Sequence, residues 1–244
     1  MAGGTPTTSA EGVCPHCGAK LQRRTVVLDG KAVEVGWIPC QCDGAKAARA
    51  ESLARAEAER LRAEGLERLD KRRKAGVPGR FAWAESERAP GILAGLSCGR
   101  GAYVTGGVGS GKTHLACAVA NLALDEGMTV WVGTSQRLLG EVKAGFGEAG
   151  GEDAALHRLA TRRVLVVDDL GKEQLTEWSL ATLFRVVDAR WCDERATLFT
   201  SQLSVAELAR RWARQDAATA QALASRIAGS CDVVDMGRVD RRMA

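Results

Sequence analysis

The feature that most constrains this chain is a glycine-rich segment that ends in a lysine and a threonine, Gly106-Gly107-Val108-Gly109-Ser110-Gly111-Lys112-Thr113. It follows a strand-like run at residues 102–105 and opens a helix-like run at residues 114–124. Glycines let a backbone wrap closely enough for successive N–H groups to point at phosphate oxygens, and the following helix adds the positive end of its dipole. In such a loop the lysine reaches the β- and γ-phosphates, and the threonine hydroxyl ligates Mg²⁺. The strand–loop–helix order favours this interpretation over a glycine-rich turn with a chance lysine.

A second motif supports the first. Residues 163–167, an arginine followed by four apolar residues, are typical of a buried strand, and Asp168 and Asp169 follow them. In nucleotide hydrolases the first carboxylate at this place holds Mg²⁺ through water, and the second orients the attacking water. By itself the run could be a core strand followed by an acidic turn, but the loop at 106–113 favours a pair of functional carboxylates.

Composition limits the remaining possibilities. The chain has 244 residues, a hydrophobic content of 45% and a net charge of +4, which is too small to argue for nucleic-acid binding. No apolar run approaches the roughly 20 residues of a membrane span, and residues 1–10 are polar and predict a disordered tail rather than a signal peptide. Eight cysteines without a secretory signal indicate a reducing compartment, and we therefore expect a cytoplasmic protein that does not contact membranes.

Four of the cysteines form two closely spaced pairs, Cys14 with Cys17 and Cys40 with Cys42. Between the pairs lie two strand-like runs around a hairpin turn signal: residues 24–28, Asp29-Gly30 and residues 32–35. Two thiolate pairs joined by a hairpin predict a zinc ribbon at residues 11–44, although the second pair is C-x-C rather than C-x-x-C. His16 could replace one cysteine as a ligand, and a redox pair or free thiols are the alternatives to zinc.

The rest of the chain divides into a charged segment and an α/β region. Residues 45–75 are rich in Ala, Arg, Glu and Leu and predict a linker helix, or two helices broken near Gly65, that serves as a solvated connector or as a packing face. Residues 75–81 predict a turn followed by an extended segment. From there, we expect strands at 102–105, 128–132, 163–168, 196–200 and 232–235, and helices at 111–126, 135–146, 152–161, 174–191, 204–213 and 216–228. This alternation predicts a parallel sheet covered by helices on both faces.

Residues 76–244 resemble a known family in several motifs that occur in order: GVPGRF, GGVGSGKTHLA, VLVVDDLGKE, LFRVVDARW, TLFTSQLS, SRIAG and GRVDRR. Together they are similar to the AAA+ ATPases of the group that contains DnaC/DnaI helicase loaders and IstB transposition helpers. The resemblance implies an AAA+ P-loop NTPase fold of α/β class at residues 76–244. The cysteine module resembles, more loosely, the zinc-binding region of DnaI-type loaders, whereas IstB proteins usually carry a helical N-terminus without these cysteines.

The resemblance also implies roles for single residues. Gln202 lies at the sensor-1 position, where the group usually has Asn and where a polar side chain contacts the γ-phosphate or the attacking water. Arg226 matches the arginine finger that enters a neighbouring subunit's ATP site in a homo-oligomer, or it is an ordinary helix arginine. Arg241 matches the sensor-2 position, with Arg242 as a competitor. Phe81 is expected near the adenine, and His114, directly after the loop, is either a further nucleotide contact or an ordinary helix residue.

Three functions are consistent with these residues. The first is a loader that binds ATP or ADP with Mg²⁺, holds single-stranded DNA and delivers a hexameric replicative DNA helicase. In relatives the helix at residues 136–146, with Arg137 and Lys143, supplies the contact to single strands. The second is an IstB-like ATPase that helps a DNA transposase on duplex DNA, and the cysteine module favours the first over it. The third is a regulatory adaptor that binds nucleotide but hardly hydrolyses it, which Asp169 in place of Glu and Gln202 leave open.

Overall fold

A computed structural model of the protein describes residues 12–28, 31–147, 150–237 and 239–240. The chain divides into two compact units, Met1–Glu67 and Arg68–Ala244. The tail predicted at residues 1–10, the turn predicted at Asp29-Gly30 and both candidate sensor-2 arginines, Arg241 and Arg242, lie outside the described residues. Among the residues that are described, no helix is both long enough and apolar enough to cross a membrane.

The first unit contains a two-stranded antiparallel sheet, formed by β1 (Arg23–Leu28) and β2 (Lys31–Trp37). Thr25 lies opposite Glu34 and Val26 opposite Val33. One cysteine pair precedes β1 and the other follows β2. Because antiparallel partners place the start of one strand beside the end of the next, this hairpin brings the two pairs together.

A single helix, α1 (Asp43–Ala75), follows the cysteine module, and the division between the two units lies within it. The alternative of two helices broken near Gly65 is wrong. A glycine inside a helix costs only about 1 kcal/mol relative to alanine, and the strong helix formers on either side of Gly65 offset that cost. Arg72, Arg73 and Lys74 lie in the last turn, where positive charge suits the helix dipole.

The second unit contains a five-stranded sheet in the order β4-β5-β6-β3-β7, in which every neighbouring pair is parallel. The strands are β3 (Gly101–Thr105), β4 (Val130–Thr134), β5 (Val164–Leu170), β6 (Thr197–Ser201) and β7 (Cys231–Asp235). The helices are α2 (Ala89–Ser97), α3 (Lys112–Asp125), α4 (Ser135–Lys143), α5 (Gly151–Thr161), α6 (Glu177–Cys192), α7 (Val205–Trp212) and α8 (Ala217–Ser230). The predicted α/β sandwich is confirmed.

Side chains alternate between two helical layers along each central strand. Val104, Val166 and Leu198 pack toward α2 and α3, whereas Tyr103 and Phe199 pack toward the layer that contains α4 to α8. Strands buried on both faces explain the nearly continuous apolar runs in the sequence. All carboxyl ends of the five strands lie at one edge of the sheet, where ligands bind in folds of this class.

One prediction for the segment before β3 is wrong, because residues Gly79–Phe81 form a short 3₁₀ turn instead of an extended segment. Helix α2 is an additional element for which the sequence analysis makes no prediction. Pro90 lies in the first turn of α2, where backbone N–H groups have no acceptor within the helix, so a residue without an N–H costs no hydrogen bond there. The buried Leu93 and Leu96 pack this helix against the core.

Candidate functional site

The predicted phosphate-binding loop connects β3 to α3, at the carboxyl edge of the sheet. Gly109 and Gly111 have φ angles of 72° and 94°, in the left-handed region that favours glycine. The buried Lys112 turns back over the loop, and its Nζ donates to the carbonyl oxygens of Gly106 at 2.9 Å and Gly107 at 2.6 Å. Ser110 Oγ is buried and has no hydrogen-bond partner among the described residues. The loop is therefore a concave backbone surface with a positive charge at its centre.

Thr113 lies beside the carboxylate of Asp168, which comes from β5 on the other side of β6. Its Oγ1 donates to the two carboxylate oxygens at 3.1 and 3.2 Å. The hydroxyl of the fully buried Thr200, on β6, donates to the same carboxylate. Burial raises the pKa of Asp168, and the nearby charge of Asp169 acts in the same direction, whereas the two hydroxyl donors oppose the shift. A buried carboxylate beside a threonine hydroxyl is a donor set of the kind that Mg²⁺ prefers, so the residues present fit this cation.

Asp169 has a φ of 54°, which is unusual for a residue with a side chain. Its N–H donates to Thr200 Oγ1 at 3.0 Å, and its carboxylate pairs with Lys172 Nζ at 3.0 Å. Thr200 thus connects both acidic residues, through the carboxylate of Asp168 and the backbone of Asp169. Sequence reasoning missed Thr200 as a site residue, although a hydroxyl inside an otherwise apolar strand was a usable signal.

Lys112, Thr113 and both acidic residues line a single cavity of about 670 Å³, a volume in the range of small-molecule sites. Most of the sequence-predicted site residues reach it: Phe81, Val108, Gly109, Ser110, Gly111, Lys112, Thr113, His114, Asp168, Asp169 and Gln202. Gly106 and Gly107 lie directly behind it and hold Lys112. Arg226 does not line the cavity, and Arg241 lies outside the described residues.

Part of the cavity wall is aromatic. The rings of Phe81 and His114 meet edge to face with centroids 6.1 Å apart, and the guanidinium of Arg80 lies 4.8 Å from the Phe81 ring centroid. The side chain of Asn121 donates to the carbonyl oxygens of Phe81 and Ala84 and so holds this segment against α3. Planar aromatic surfaces next to a phosphate-binding loop suit a nucleobase.

The segment that follows β7 also contacts the loop. Gly107 donates its N–H to the carbonyl oxygen of Gly237 at 2.9 Å, and Met236 lines the cavity. A Cβ built on Gly109 would lie 1.8 Å from Asp240 Oδ1, so the Asp240 carboxylate lies directly against the loop backbone at this glycine. The C-terminal segment is therefore part of the wall of the site.

Arg226 lies on α8, where its Nε donates to Asp188 Oδ1 at 2.9 Å. Its guanidinium carbon lies 4.0 Å from the ring centroid of Trp191. Both partners belong to α6. This arginine is therefore held at the surface of the two helices rather than in the cavity of its own chain.

In the first unit, the sulfur atoms of Cys14, Cys17, Cys40 and Cys42 all lie within 4.8 Å of one another. The Cys14–Cys42 and Cys17–Cys40 sulfur pairs are 3.8 and 3.5 Å apart. Four thiolates at the usual Zn–S bond length of about 2.3 Å form a tetrahedron with edges of about 3.8 Å, so the residues present fit zinc. A backbone hydrogen bond from His16 lowers the pKa of Cys14 to about 7, although burial opposes the shift. His16 itself is not a member of the cluster.

Residues 93–243, well over half of the chain, match the family described as IstB-like ATP binding protein. The protein assigned as the ATP-binding protein of insertion sequence IS1162 from Pseudomonas fluorescens is 36% identical over 100 residues. The replicative helicase loader DnaC of Buchnera aphidicola from Schizaphis graminum is 28% identical over 101 residues. These matches cover 41% of this chain and only 42% and 41% of the two relatives, so about two fifths of each relative's length is compared.

The fold agrees with that family. A crystal structure of the DnaC helicase loader superposes with a TM-score of 0.53 at 21% sequence identity, and the match covers 65% of this chain and 99% of that one. This likeness concerns the α/β fold of the second unit, whereas the family match concerns its sequence. The protein belongs to the IstB-like ATP-binding family and carries the AAA+ domain that IstB and DnaC proteins share.

Proposed function

We propose that the protein is an ATP-hydrolysing loader of a hexameric replicative DNA helicase. One observation carries the ATPase part: a single cavity joins Lys112 and Thr113 of the phosphate-binding loop to the two carboxylates that end β5 and to Gln202 at the end of β6. ATP with Mg²⁺ is the ligand that such a set of donors and acceptors accommodates best. The DnaC relatives support the loader part of the proposal.

Each residue of the cavity has a separate task in this proposal. Lys112 neutralises the β- and γ-phosphates, and Thr113 and Asp168 hold Mg²⁺, whose positive charge stabilises the triphosphate when bound. Asp169 orients the attacking water and accepts its proton, and Gln202 donates its amide N–H near the γ-phosphate. Phe81 and His114 face the adenine. The sensor-2 role of Arg241, or of Arg242, stays a prediction because both lie outside the described residues.

The metal proposal for the first unit is one structural zinc ion held by Cys14, Cys17, Cys40 and Cys42. A hairpin with exposed strands has little core of its own, since Val27, Leu28 and Val35 are all exposed. A metal would therefore supply folding energy that apolar burial does not. The proposed role of this module and of α1 is to contact the helicase.

The single-strand contact is proposed on α4 and the segment that follows it. Arg137 is already engaged, because it pairs with Glu141 at 3.0 Å and donates to the Val132 carbonyl oxygen at 3.2 Å. Lys143 in the last turn of α4 is the basic residue that can contact phosphates there. Phe146 and Trp178 pack edge to face 5.4 Å apart nearby, so aromatic surface is also present.

Arg226 is proposed to complete the ATP site of a neighbouring copy, because it lies outside the cavity of its own chain. An arginine finger of this kind contributes on the order of 10³-fold in rate. Arg226→Ala should keep ATP binding and lose the turnover that depends on assembly. Mixing it with Lys112→Ala should restore part of that turnover, because some interfaces then combine an intact loop with an intact Arg226. No recovery despite demonstrated co-assembly would contradict action in trans.

The decisive experiment measures ATP turnover with and without single-stranded DNA, and then helicase loading onto a single-stranded circle. Wild type should hydrolyse ATP and load the helicase, whereas Lys112→Ala should do neither. The IstB-like alternative is favoured by the 36% identity to the insertion-sequence protein, and it predicts stimulation of a transposase on duplex DNA without helicase loading. Nucleotide binding without turnover under any of these conditions would instead support the regulatory adaptor.

A further inference from the structure

Two contacts on α6 hold the side chain of Arg226. Asp188 accepts a hydrogen bond from Arg226 Nε at 2.9 Å, and the guanidinium carbon lies 4.0 Å from the ring centroid of Trp191. Asp188 and Trp191 are three residues apart on one helix, which places them on the same face. The guanidinium is therefore held by a charged acceptor at Nε and by an aromatic ring near its central carbon.

These contacts leave most of the guanidinium available. Of its five N–H donors, only the one on Nε has an acceptor among the described residues, so the terminal Nη1 and Nη2 groups can bind another acceptor. Arg190, on the same helix α6, shows the contrast. It is buried and donates to four backbone carbonyl oxygens and one threonine hydroxyl, which is the pattern of an arginine that serves the fold.

We propose that Asp188 and Trp191 are positioning residues that hold the Nη donors of Arg226 outward, toward the γ-phosphate bound by a second copy of this chain. This inference rests on the proposed action of Arg226 in trans. A free arginine side chain loses much rotamer freedom when it docks, and contacts that already restrict it reduce this loss. Trp191, whose side chain is 46% exposed, also offers aromatic surface at the same interface.

The test compares a variant that removes the aromatic contact and a variant that removes the charge of Asp188 with a variant that keeps the aromatic contact. Trp191→Leu and Asp188→Asn should each lower assembly-dependent ATP turnover roughly threefold to tenfold, because one weak interaction is lost. Trp191→Phe keeps an aromatic face and should retain turnover within about twofold of wild type. ATP affinity and melting temperature of the separate subunits should not change. Reduced ATP affinity, or equal loss with Trp191→Phe, would show that the residue supports the fold instead.

A sharper test is whether the effects of the two α6 variants require Arg226. In an Arg226→Ala background, Trp191→Leu and Asp188→Asn should lower turnover no further, because the group that they position is gone. An additional loss of the same size in that background would overturn the inference. If Arg226→Ala alone keeps wild-type turnover, the proposed role of Arg226 fails. If Arg226→Ala loses turnover while both α6 variants keep it, only the positioning role fails.

Mixed assemblies identify the side of the interface on which Trp191 acts. Trp191→Leu should impair the subunit that donates Arg226, which is the donating side. Lys112→Ala should impair the subunit that binds the nucleotide, which is the receiving side. A mixture of these two should therefore exceed the sum of their separate activities, because a wild-type donor meets an intact loop at some interfaces. A mixture of Trp191→Leu with Arg226→Ala should show no such gain, since both donors are defective. The reverse pattern would place Trp191 on the receiving side and contradict the inference.

Discussion

Thr200→Val provides a direct test of how the two acidic residues are held. Thr200 is fully buried, donates to the Asp168 carboxylate and accepts the Asp169 N–H at 3.0 Å. Valine has nearly the same shape but no hydroxyl, so the substitution removes both hydrogen bonds and leaves the packing almost unchanged. We expect lower stability and weaker Mg²⁺-dependent nucleotide binding.

The magnitude follows from the two bonds. A hydrogen bond to a charged group contributes about 1.5–3 kcal/mol, and a buried N–H left without a partner costs about 1–3 kcal/mol. Local relaxation recovers part of this sum, so we expect the free energy of unfolding to fall by about 2–4 kcal/mol. A domain with a typical stability of roughly 5–15 kcal/mol would still fold, and binding can therefore be measured.

The stability and the Mg²⁺ binding of this variant should also depend on pH, through the Asp168 carboxylate. Burial already raises the pKa of Asp168, and the Thr200 hydrogen bond opposes that shift. Removing the bond raises the pKa further. Because a raised folded-state pKa means that ionisation destabilises the fold, the stability lost in the variant should be largest above this pKa and should shrink as the pH falls through it. Mg²⁺ requires the ionised carboxylate, so its binding should disappear at a higher pH than in wild type.

The assays are urea unfolding and Mg²⁺-dependent nucleotide titration over a range of pH. Ser201→Ala is the matched control. Ser201 is buried at the end of the same strand and also joins two groups, as it donates to Leu170 O at 2.6 Å and accepts from Leu203 N at 3.1 Å. Among the described residues it forms no hydrogen bond with a carboxylate. The control should lose stability without any change in the pH dependence of binding. Identical pH profiles for wild type and Thr200→Val would refute the reasoning.

Three further predictions concern single parts of the proposed sites. Lys112→Ala should abolish tight ATP binding, because the loop loses its positive charge, and near wild-type affinity in equilibrium titration would be incompatible with this role. Asp168→Asn should weaken Mg²⁺-dependent binding, whereas Asp169→Asn should mainly slow turnover; similar behaviour of the two variants would exclude separate roles. The double variant Cys40→Ser, Cys42→Ser should lose one zinc per chain in elemental analysis while ATP binding persists, and full zinc content would rule out this ligand set.

The site residues that the sequence predicts belong to motifs that adjoin a strand in the sequence. The phosphate-binding loop follows β3 directly and leads into Lys112 and Thr113 at the start of α3, and Asp168 and Asp169 lie within the last residues of β5. An apolar run identifies each strand, and the carboxyl ends of parallel strands meet at one edge. Their proximity therefore follows from the fold class alone.

The parts that sequence could not predict depend on which elements become neighbours. Thr200 reaches Asp168 only because β6 lies next to β5 in the sheet. Asp240 contacts Gly109 because β7 pairs with β3 and directs the following segment over the loop. Asp188 meets Arg226 because α6 packs against α8. Periodicity identifies each element but contains no information about these pairings.

The position of Asp169 depends on another such contact. Its backbone conformation, with φ at 54°, costs on the order of 1 kcal/mol for a residue with a side chain. Such a conformation persists only where the surroundings determine it, and it often occurs at functional sites. The N–H of Asp169 is held by Thr200, so one end of the turn is fixed on β6.

The buried carboxylate of Glu173 fixes the other end of this turn. It accepts hydrogen bonds from Gly171 N and Ser135 Oγ, each at 2.8 Å, and from Trp212 Nε1 at 2.9 Å. These donors belong to the turn itself, to α4 and to α7. Three donors satisfy a buried carboxylate that would otherwise be costly. These contacts tie the turn to β6, α4 and α7, and this explains how the half-buried Asp169 keeps its unusual backbone conformation.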